Sequence, residues 1–154
     1  MDEVTRISGI RNVIGKRYAL IRVLGQGGMA QVWLAEEVDA HQPNRVFAIK
    51  QPKDNDSNKI SRFYREARAH WLLRESPHIV SMHGFEHPEN GMPYLVLELM
   101  RGTSLKELLN DFYPFRDQQD RLVSGLPRPL ALKLALHAVK AVEICTSRGL
   151  PIET

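Results

Sequence analysis

A glycine-rich segment, a lysine and a glutamate are the residues of this sequence whose types and spacing favour chemistry on phosphate groups. The segment Gly25-Gln26-Gly27-Gly28-Met29-Ala30-Gln31-Val32 follows an apolar run. Glycine has no Cβ, so the backbone there can approach a phosphate closely. Lys50 ends a second apolar run and can supply a positive charge to the same phosphates, and Glu66 follows in a segment of helical pattern. These residues predict a phosphate-binding site.

The elements that must position these residues are five strands and one helix. A helical stripe of apolar residues predicts a helix from Ile60 to Glu75, and Asn90-Gly91 favours a tight turn between the last two strands. One helix inserted into a strand meander is an α+β layout, so we expect a twisted antiparallel sheet of about five strands with the helix packed on it. The stripe consists of Ile60, Phe63, Tyr64, Ala67 and Trp71, and the predicted strands are Tyr18–Leu24, Gln31–Glu36, Arg45–Lys50, Val80–Glu86 and Tyr94–Leu99.

Two further helices are predicted after these strands. Ser104 is a suitable N-cap for a short helix from Leu105 to Asn110, and a loop rich in proline and glycine follows it. Pro129 then suits the first turn of a helix that runs to about Arg148. This last helix is apolar nearly all round, so we expect it to need burial on most sides.

The composition is that of a soluble globular protein of 154 residues, with 43% hydrophobic and 25% charged residues. The net charge of +3 is small and the basic residues are scattered, so no nucleic-acid partner is predicted. Arg62, Arg65 and Arg68 are interpreted as a solvated helix face.

Cysteine, signal and membrane patterns point to the cytoplasm. Cys145 is the single cysteine, which excludes an intramolecular disulfide. The first residues lack the apolar core of a signal peptide, and no apolar stretch approaches the roughly 20 residues that span a bilayer. The six histidines are scattered, so no metal site is predicted.

Two other phosphate-binding patterns compete for the glycines. A Walker loop fails because Gly9 to Gly15 has one residue too many and Arg17 stands where a magnesium-binding hydroxyl belongs. A dinucleotide-binding pattern, Gly25-x-Gly27-x-x-Ala30, does match after an apolar strand. It requires a helix from Met29 to Val38 and an acidic residue at the end of the next strand, where Lys50 stands instead. This second alternative stays open.

The combination resembles the N-terminal lobe of a protein kinase. Gly25, Gly27 and Val32 match the kinase pattern G-x-G-x-x-G-x-V, with Ala30 in place of the third glycine, and Lys50 and Glu66 follow in order. Gly27-Gly28-Met29 is similar to the loop of bacterial Hanks-type serine/threonine kinases, and Pro77-His78-Ile79-Val80 fits the segment after the helix.

The resemblance implies an ATP site with defined roles. Lys50 would hold the α- and β-phosphates and pair with Glu66, the two residues expected to serve catalysis. Leu24 and Val32 would cover the adenine, Ala48 would leave room for it, and Leu97 would stand at the gatekeeper position. The remaining expected ATP contacts are Gly25, Gln26, Gly27, Gly28, Met29, Ala30, Gln31, the carbonyl of Glu98 and the backbone of Met100.

The resemblance extends from about Tyr18 to Gly149 and implies three parts. Residues 1–16 are a polar leader, 17–100 an ATP-binding N-lobe, and 101–154 the hinge and an incomplete start of the C-lobe. Thr146 to Leu150 looks like the segment before the family's H-R-D loop, yet Pro151-Ile152-Glu153-Thr154 follow. The catalytic aspartate and the magnesium ligands of the family are therefore missing, and we expect this truncated chain to be inactive.

Two functions remain open at this point. The first is the ATP-binding portion of a kinase that transfers a phosphoryl group from ATP to serine or threonine of a protein substrate. The second is a non-catalytic kinase-like binding module. In the family the helix Leu130 to Cys145 is buried, and few residues remain here to cover it, so an exposed apolar patch and self-association are also expected.

Overall fold

The computed structural model describes residues 12–38, 45–111, 115–116, 119, 122–123 and 126–150. These residues belong to two units. The N-terminal unit contains the chain up to residue 71 together with 81–99, and the C-terminal unit contains 72–80 and the chain from 100 onward. Residues 1–11 of the predicted leader and residues 151–154 lie outside the described part.

The N-terminal unit is built on a six-stranded antiparallel sheet with the order β1-β2-β3-β4-β6-β5. The α+β prediction is confirmed, and the five predicted strands are all present with bounds shifted by one to two residues. The strands are β1 Val13–Ile14, β2 Tyr18–Gln26, β3 Ala30–Glu37, β4 Val46–Pro52, β5 Met82–Glu86 and β6 Tyr94–Glu98.

A sixth strand, β1, lies in the segment that was predicted to be a polar leader. Only two residue pairs join it to β2, Val13↔Ala19 and Ile14↔Tyr18. Two residues are too few to give a periodic signal in the sequence, which explains the error. The turn that follows has a φ of 59° at both Gly15 and Lys16, and a tight hairpin accommodates positive φ values of this kind.

The helix from Met29 to Val38 that a dinucleotide-binding domain requires is not formed. Residues 30–37 are strand β3, which pairs antiparallel with both β2 and β4. A dinucleotide-binding domain instead has parallel strands joined by helices. The dinucleotide alternative is therefore wrong.

Aromatic and aliphatic side chains fill the core of the sheet. The Tyr18 ring meets the Phe47 ring edge-on with 5.7 Å between centroids, and it meets the Tyr94 ring at 6.2 Å. Edge-to-face contacts of this kind add to the free energy gained by burying the rings. The central cluster consists of Tyr18, Ala35, Phe47, Ile49, Tyr94 and Val96.

Helix α1, Ser57–Leu73, connects β4 to β5. Asp56 caps it, since its Oδ1 accepts from the N–H groups of Asn58 and Lys59 at 3.0 Å each. Phe63 and Ala67 of the predicted stripe are buried. Trp71 and Tyr64 are 54% and 38% exposed, so the apolar stripe is wider than the face that packs on the sheet.

The C-terminal unit contains α2, Leu105–Asp111, and α3, Arg128–Ser147, close to their predicted bounds. Ser104 and Glu107 form a reciprocal capping box at the start of α2. The predicted loop between the helices contains a short hairpin, β7 Phe115–Arg116 and β8 Leu122–Val123, which sequence analysis missed.

Helix α3 exposes an apolar face. No residue of this helix is buried. Leu132, Leu136, Val139 and Val142 are 75%, 53%, 60% and 46% exposed, as the predicted apolar patch requires. No helix in the described ranges is long and apolar enough to cross a membrane.

Candidate functional site

The glycine-rich loop forms the turn of the hairpin between β2 and β3. The Gly27 N–H donates to the Ala30 carbonyl at 2.9 Å, one residue beyond the pairing of Gln26 with Gln31. No φ in the left-handed region occurs at Gly25, Gly27 or Gly28. A Cβ added at Gly25 or Gly28 would meet no atom within 4 Å. The glycines therefore leave free space along the loop backbone, which a ligand can approach.

Lys50 and Glu66 form an ion pair through Nζ and Oε1. The predicted pairing is thus confirmed. Lys50 comes from β4 and Glu66 from the middle of α1, so the pair joins the sheet to the helix. Their side chains are 25% and 34% exposed, which leaves them accessible to a ligand. His70 Nε2 lies 3.8 Å from the same carboxylate oxygen, one helical turn further on.

Strand register places the predicted adenine and phosphate residues on one face of the sheet. Val32, Lys50 and Leu95 are direct neighbours across β3, β4 and β6. Ala48 and Leu97 are neighbours in the adjacent row, two residues along each strand, and both are buried. Directly paired residues point to the same side, and so do residues two apart. Ala48, Leu97 and Lys50 therefore share the face to which Val32 also belongs.

A cavity of about 350 Å³ lies under the glycine-rich loop. Its volume falls in the range of small-molecule sites, which begins at about 300 Å³. Nine of the predicted residues line it, namely Gly25, Gln26, Gly27, Gly28, Met29, Ala30, Val32, Lys50 and Glu66. The other predicted contacts, Leu24, Gln31, Ala48, Leu97, Glu98 and Met100, do not line this cavity. Met100 is 64% exposed and belongs to the C-terminal unit.

Three residues of α1 that sequence analysis did not assign to the site also line the cavity: Lys59, Arg62 and Phe63. Lys59 and Arg62 precede Glu66 by seven and four residues, so all three lie on one helix face. That spacing predicts a shared helix face, but it does not predict the cavity that this face lines. Arg62 is exposed, as its interpretation as part of a solvated helix face requires, and it also lines the cavity.

Lys59 is held by a carboxylate next to the cavity. Its ammonium lies 2.7 Å from Asp54 Oδ2. This hydrogen bond lowers the pKa of the Asp54 carboxyl and raises the pKa of Lys59. Both groups thus keep their charges and partly cancel each other at neutral pH.

The described ranges contain no metal-binding cluster, meaning a group of three or more histidine, cysteine, aspartate or glutamate side chains that could hold a metal ion. The described residues thus offer a positively charged loop cavity without a carboxylate cluster for a divalent ion.

The comparisons with a family model and with individual known proteins agree on one family. A family model described as "Protein kinase domain" matches residues 18–150. The chain is 34% identical over 106 residues to the serine/threonine-protein kinase PrkC of Bacillus subtilis, an alignment that covers 69% of this chain and 16% of PrkC. It is 30% identical over 150 residues to PknA of Corynebacterium glutamicum, covering 93% of this chain and 29% of PknA.

A third relative is the serine/threonine-protein kinase PknD of Mycobacterium tuberculosis, which is 38% identical over 100 residues. That alignment covers 63% of this chain and 14% of PknD. The chain therefore spans less than a third of the length of each of these curated relatives.

Proposed function

The chain belongs to the protein kinase family, and from this premise we propose that its N-terminal unit is the ATP-binding part of a serine/threonine protein kinase. The observation that carries the proposal is the Lys50–Glu66 ion pair on the wall of the cavity under the glycine-rich loop. An ion pair in that place directs the ammonium toward the phosphates of a nucleotide bound beneath the loop. The serine/threonine specificity is proposed because the relatives PrkC and PknA are serine/threonine-protein kinases.

In this proposal each part of the site has a separate task. The loop backbone and Lys50 bind the phosphates, and Glu66 fixes the direction of the lysine side chain. Leu24 and Val32 cover the adenine above, while Ala48 and Leu97 form the adjacent apolar row of the sheet. The main chain at Glu98 and Met100 remains the predicted hydrogen-bonding partner of the adenine.

The proposed division of the chain is residues 17–100 for the N-lobe and 101–154 for the hinge and the start of the C-lobe. The change of unit between Leu99 and Met100 supports this boundary.

Kinases use ATP together with Mg²⁺, which neutralises phosphate charge during phosphoryl transfer. The residues described here fit the nucleotide but do not fit the metal, because they offer no carboxylate cluster. The 154 residues contain neither an H-R-D nor a D-F-G sequence. We propose that this stretch by itself binds nucleotide without transferring the phosphoryl group, whereas the full kinase modifies serine or threonine of a protein substrate.

The test is ATP binding by the parent chain and by Lys50→Met, measured by isothermal titration calorimetry. We expect Lys50→Met to lower the affinity at least about tenfold, since a charge-assisted contact to phosphate is lost. Lys53→Met is the matched control, because Lys53 is exposed and does not line the cavity. Equal ATP affinity in the parent and in Lys50→Met would overturn the assignment of the site.

A phosphotransfer assay with a generic basic protein separates the two open functions. We expect nucleotide binding without transfer from this stretch, and transfer from the same stretch joined to a complete kinase C-lobe. Absence of transfer in that longer protein would favour the non-catalytic binding module.

We also propose that the exposed apolar face of α3 associates with a second copy of this stretch. Leu132 and Val139 lie seven residues apart on the helix and are each more than half exposed. Contiguous apolar surface of this kind favours association. The cytoplasmic location and the absence of a nucleic-acid partner remain predictions.

A further inference from the structure

Arg62 is the cavity cation whose charge no carboxylate in the described ranges offsets. Lys50 is paired with Glu66, and Lys59 is paired with Asp54. The contact that the Arg62 guanidinium makes is with sulfur, since Nη1 lies 3.7 Å from Met29 Sδ. A thioether is a weak acceptor without charge, so it leaves the guanidinium charge uncompensated.

The contact with Met29 also fixes where the guanidinium lies. Met29 stands at the tip of the glycine-rich loop, between Gly28 and the first residue of β3. Arg62 lies one helical turn before Glu66, toward the N-terminus of α1. The guanidinium therefore sits beneath the tip of the loop, while the Lys50 ammonium lies further along the helix at Glu66.

The order of Lys50 and Arg62 along the cavity matches the order of the phosphates in a nucleotide, counted from the base. Lys50 belongs to the same sheet face as Ala48 and Leu97, the proposed adenine side. Arg62 stands beyond Lys50, at the loop tip. A nucleotide with its base over Ala48 and its chain of phosphates under the loop would bring its last phosphate toward Arg62.

We propose that Arg62 binds the terminal phosphate of ATP and so allows the site to distinguish the triphosphate from the diphosphate. This inference rests on the proposed ATP-binding function. A guanidinium presents a planar fork of N–H donors that matches two phosphate oxygens at once. Arginine free of a carboxylate partner can make that contact without first breaking an ion pair.

The experiment compares three ligands, namely ATP, ADP and adenosine, by calorimetric titration in magnesium-free buffer. The proteins are the parent chain, Arg62→Gln, Arg62→Lys and Arg68→Gln. Arg68→Gln is the matched control, because it removes the same charge from the same helix at a residue outside the cavity. The thermal midpoint of each variant is measured first, to establish that it is folded.

We expect Arg62→Gln to lower the ATP affinity roughly tenfold, as for the loss of one charge-assisted contact. ADP affinity should fall less than about threefold, and adenosine affinity should not change. Arg62→Lys should fall between the parent and Arg62→Gln for ATP, because it keeps the charge but not the fork.

The outcomes separate this inference from the function on which it rests. A parent chain that binds ATP while Arg62→Gln binds it equally well overturns the role of Arg62 and leaves the proposed function standing. Equal losses for ATP and ADP overturn the assignment to the terminal phosphate. A parent chain that binds no nucleotide overturns the proposed function and this inference together.

Discussion

We expect the Tyr94 hydroxyl to make the stability of the sheet depend on pH. Tyr94 is fully buried in the core, and its hydroxyl donates to Glu86 Oε2. Burial and this hydrogen bond raise the pKa of Tyr94 above the value of 10.0 of a free tyrosine. An unfolded chain loses this proton near pH 10, whereas the folded chain keeps it to higher pH. The free energy of unfolding should therefore fall as the pH rises above about 10.

We predict that Tyr94→Phe weakens this pH dependence. At pH 7 the variant should lose about 1 kcal/mol of stability with the hydrogen bond to Glu86. The free tyrosine pKa is about 10, so the two proteins should differ between about pH 9 and 11. In that range the stability of Tyr94→Phe should fall less steeply than that of the parent. Urea unfolding at several pH values measures both effects. Equal slopes for the two proteins would contradict the assignment to Tyr94.

Individual site residues differ in how far the sequence could reveal them. Lys50 and Glu66 could be predicted because a lysine at a strand end and a glutamate on the following helix form a recognisable order. Arg62 and Lys59 could not, because their place in the cavity depends on how α1 lies against the glycine-rich loop. Their spacing from Glu66 predicts a shared helix face, but only the fold determines that this face lines the cavity under the glycine-rich loop.

At the scale of elements, the β1–β2 turn is the most constrained point of the sheet. Gly15 has a φ of 59°, and a Cβ added there would lie 1.9 Å from the Tyr94 hydroxyl oxygen. Tyr94 is enclosed by the core and has little room to move away. The turn thus excludes a side chain both by its backbone conformation and by its surroundings.

We predict that Gly15→Ala destabilises the N-terminal unit by roughly 2–3 kcal/mol, from strain and from the clash together. Gly91→Ala is the control, since its Cβ would meet the Pro88 ring at an ordinary 3.5 Å. In a Tyr94→Phe background the clashing oxygen is absent, so the cost of Gly15→Ala should decrease. Chemical denaturation of the parent, the two Gly15→Ala proteins, Tyr94→Phe and the Gly91→Ala control measures this cost. A cost of Gly15→Ala that is the same in both backgrounds would show that the contact with Tyr94 is irrelevant.

Strands and helices of five residues or more were predictable because their apolar residues repeat with a clear period. Strand β1 and the β7–β8 hairpin have two residues each, which is too short for any period to show. Trp71 was expected in the packed stripe of α1 and is instead half exposed. The period of a helix gives its apolar face, but the width of the neighbouring surface decides how much of that face is covered.

At the scale of the whole molecule, the two units contrast in how they bury their apolar residues. The N-terminal unit encloses a cluster of aromatic and aliphatic side chains within its sheet. In the C-terminal unit, α3 has no buried residue, although it is the longest helix of the described ranges. Stability should therefore come mainly from the sheet, and the exposed helix should govern association.

We predict that the double change Leu132→Glu and Val139→Glu reduces self-association of the chain. The two side chains are 75% and 60% exposed, so their replacement should leave the folded state nearly as stable while placing negative charge on the apolar face. Lys133→Gln with Lys140→Gln is the matched control, because it changes the net charge of the same helix by the same amount.

Sedimentation velocity at rising protein concentration should show association in the parent and in the control, and mainly monomer in the glutamate variant. A parent chain that stays monomeric at every concentration would contradict the proposed role of α3, because an exposed apolar face favours self-association at high protein concentration.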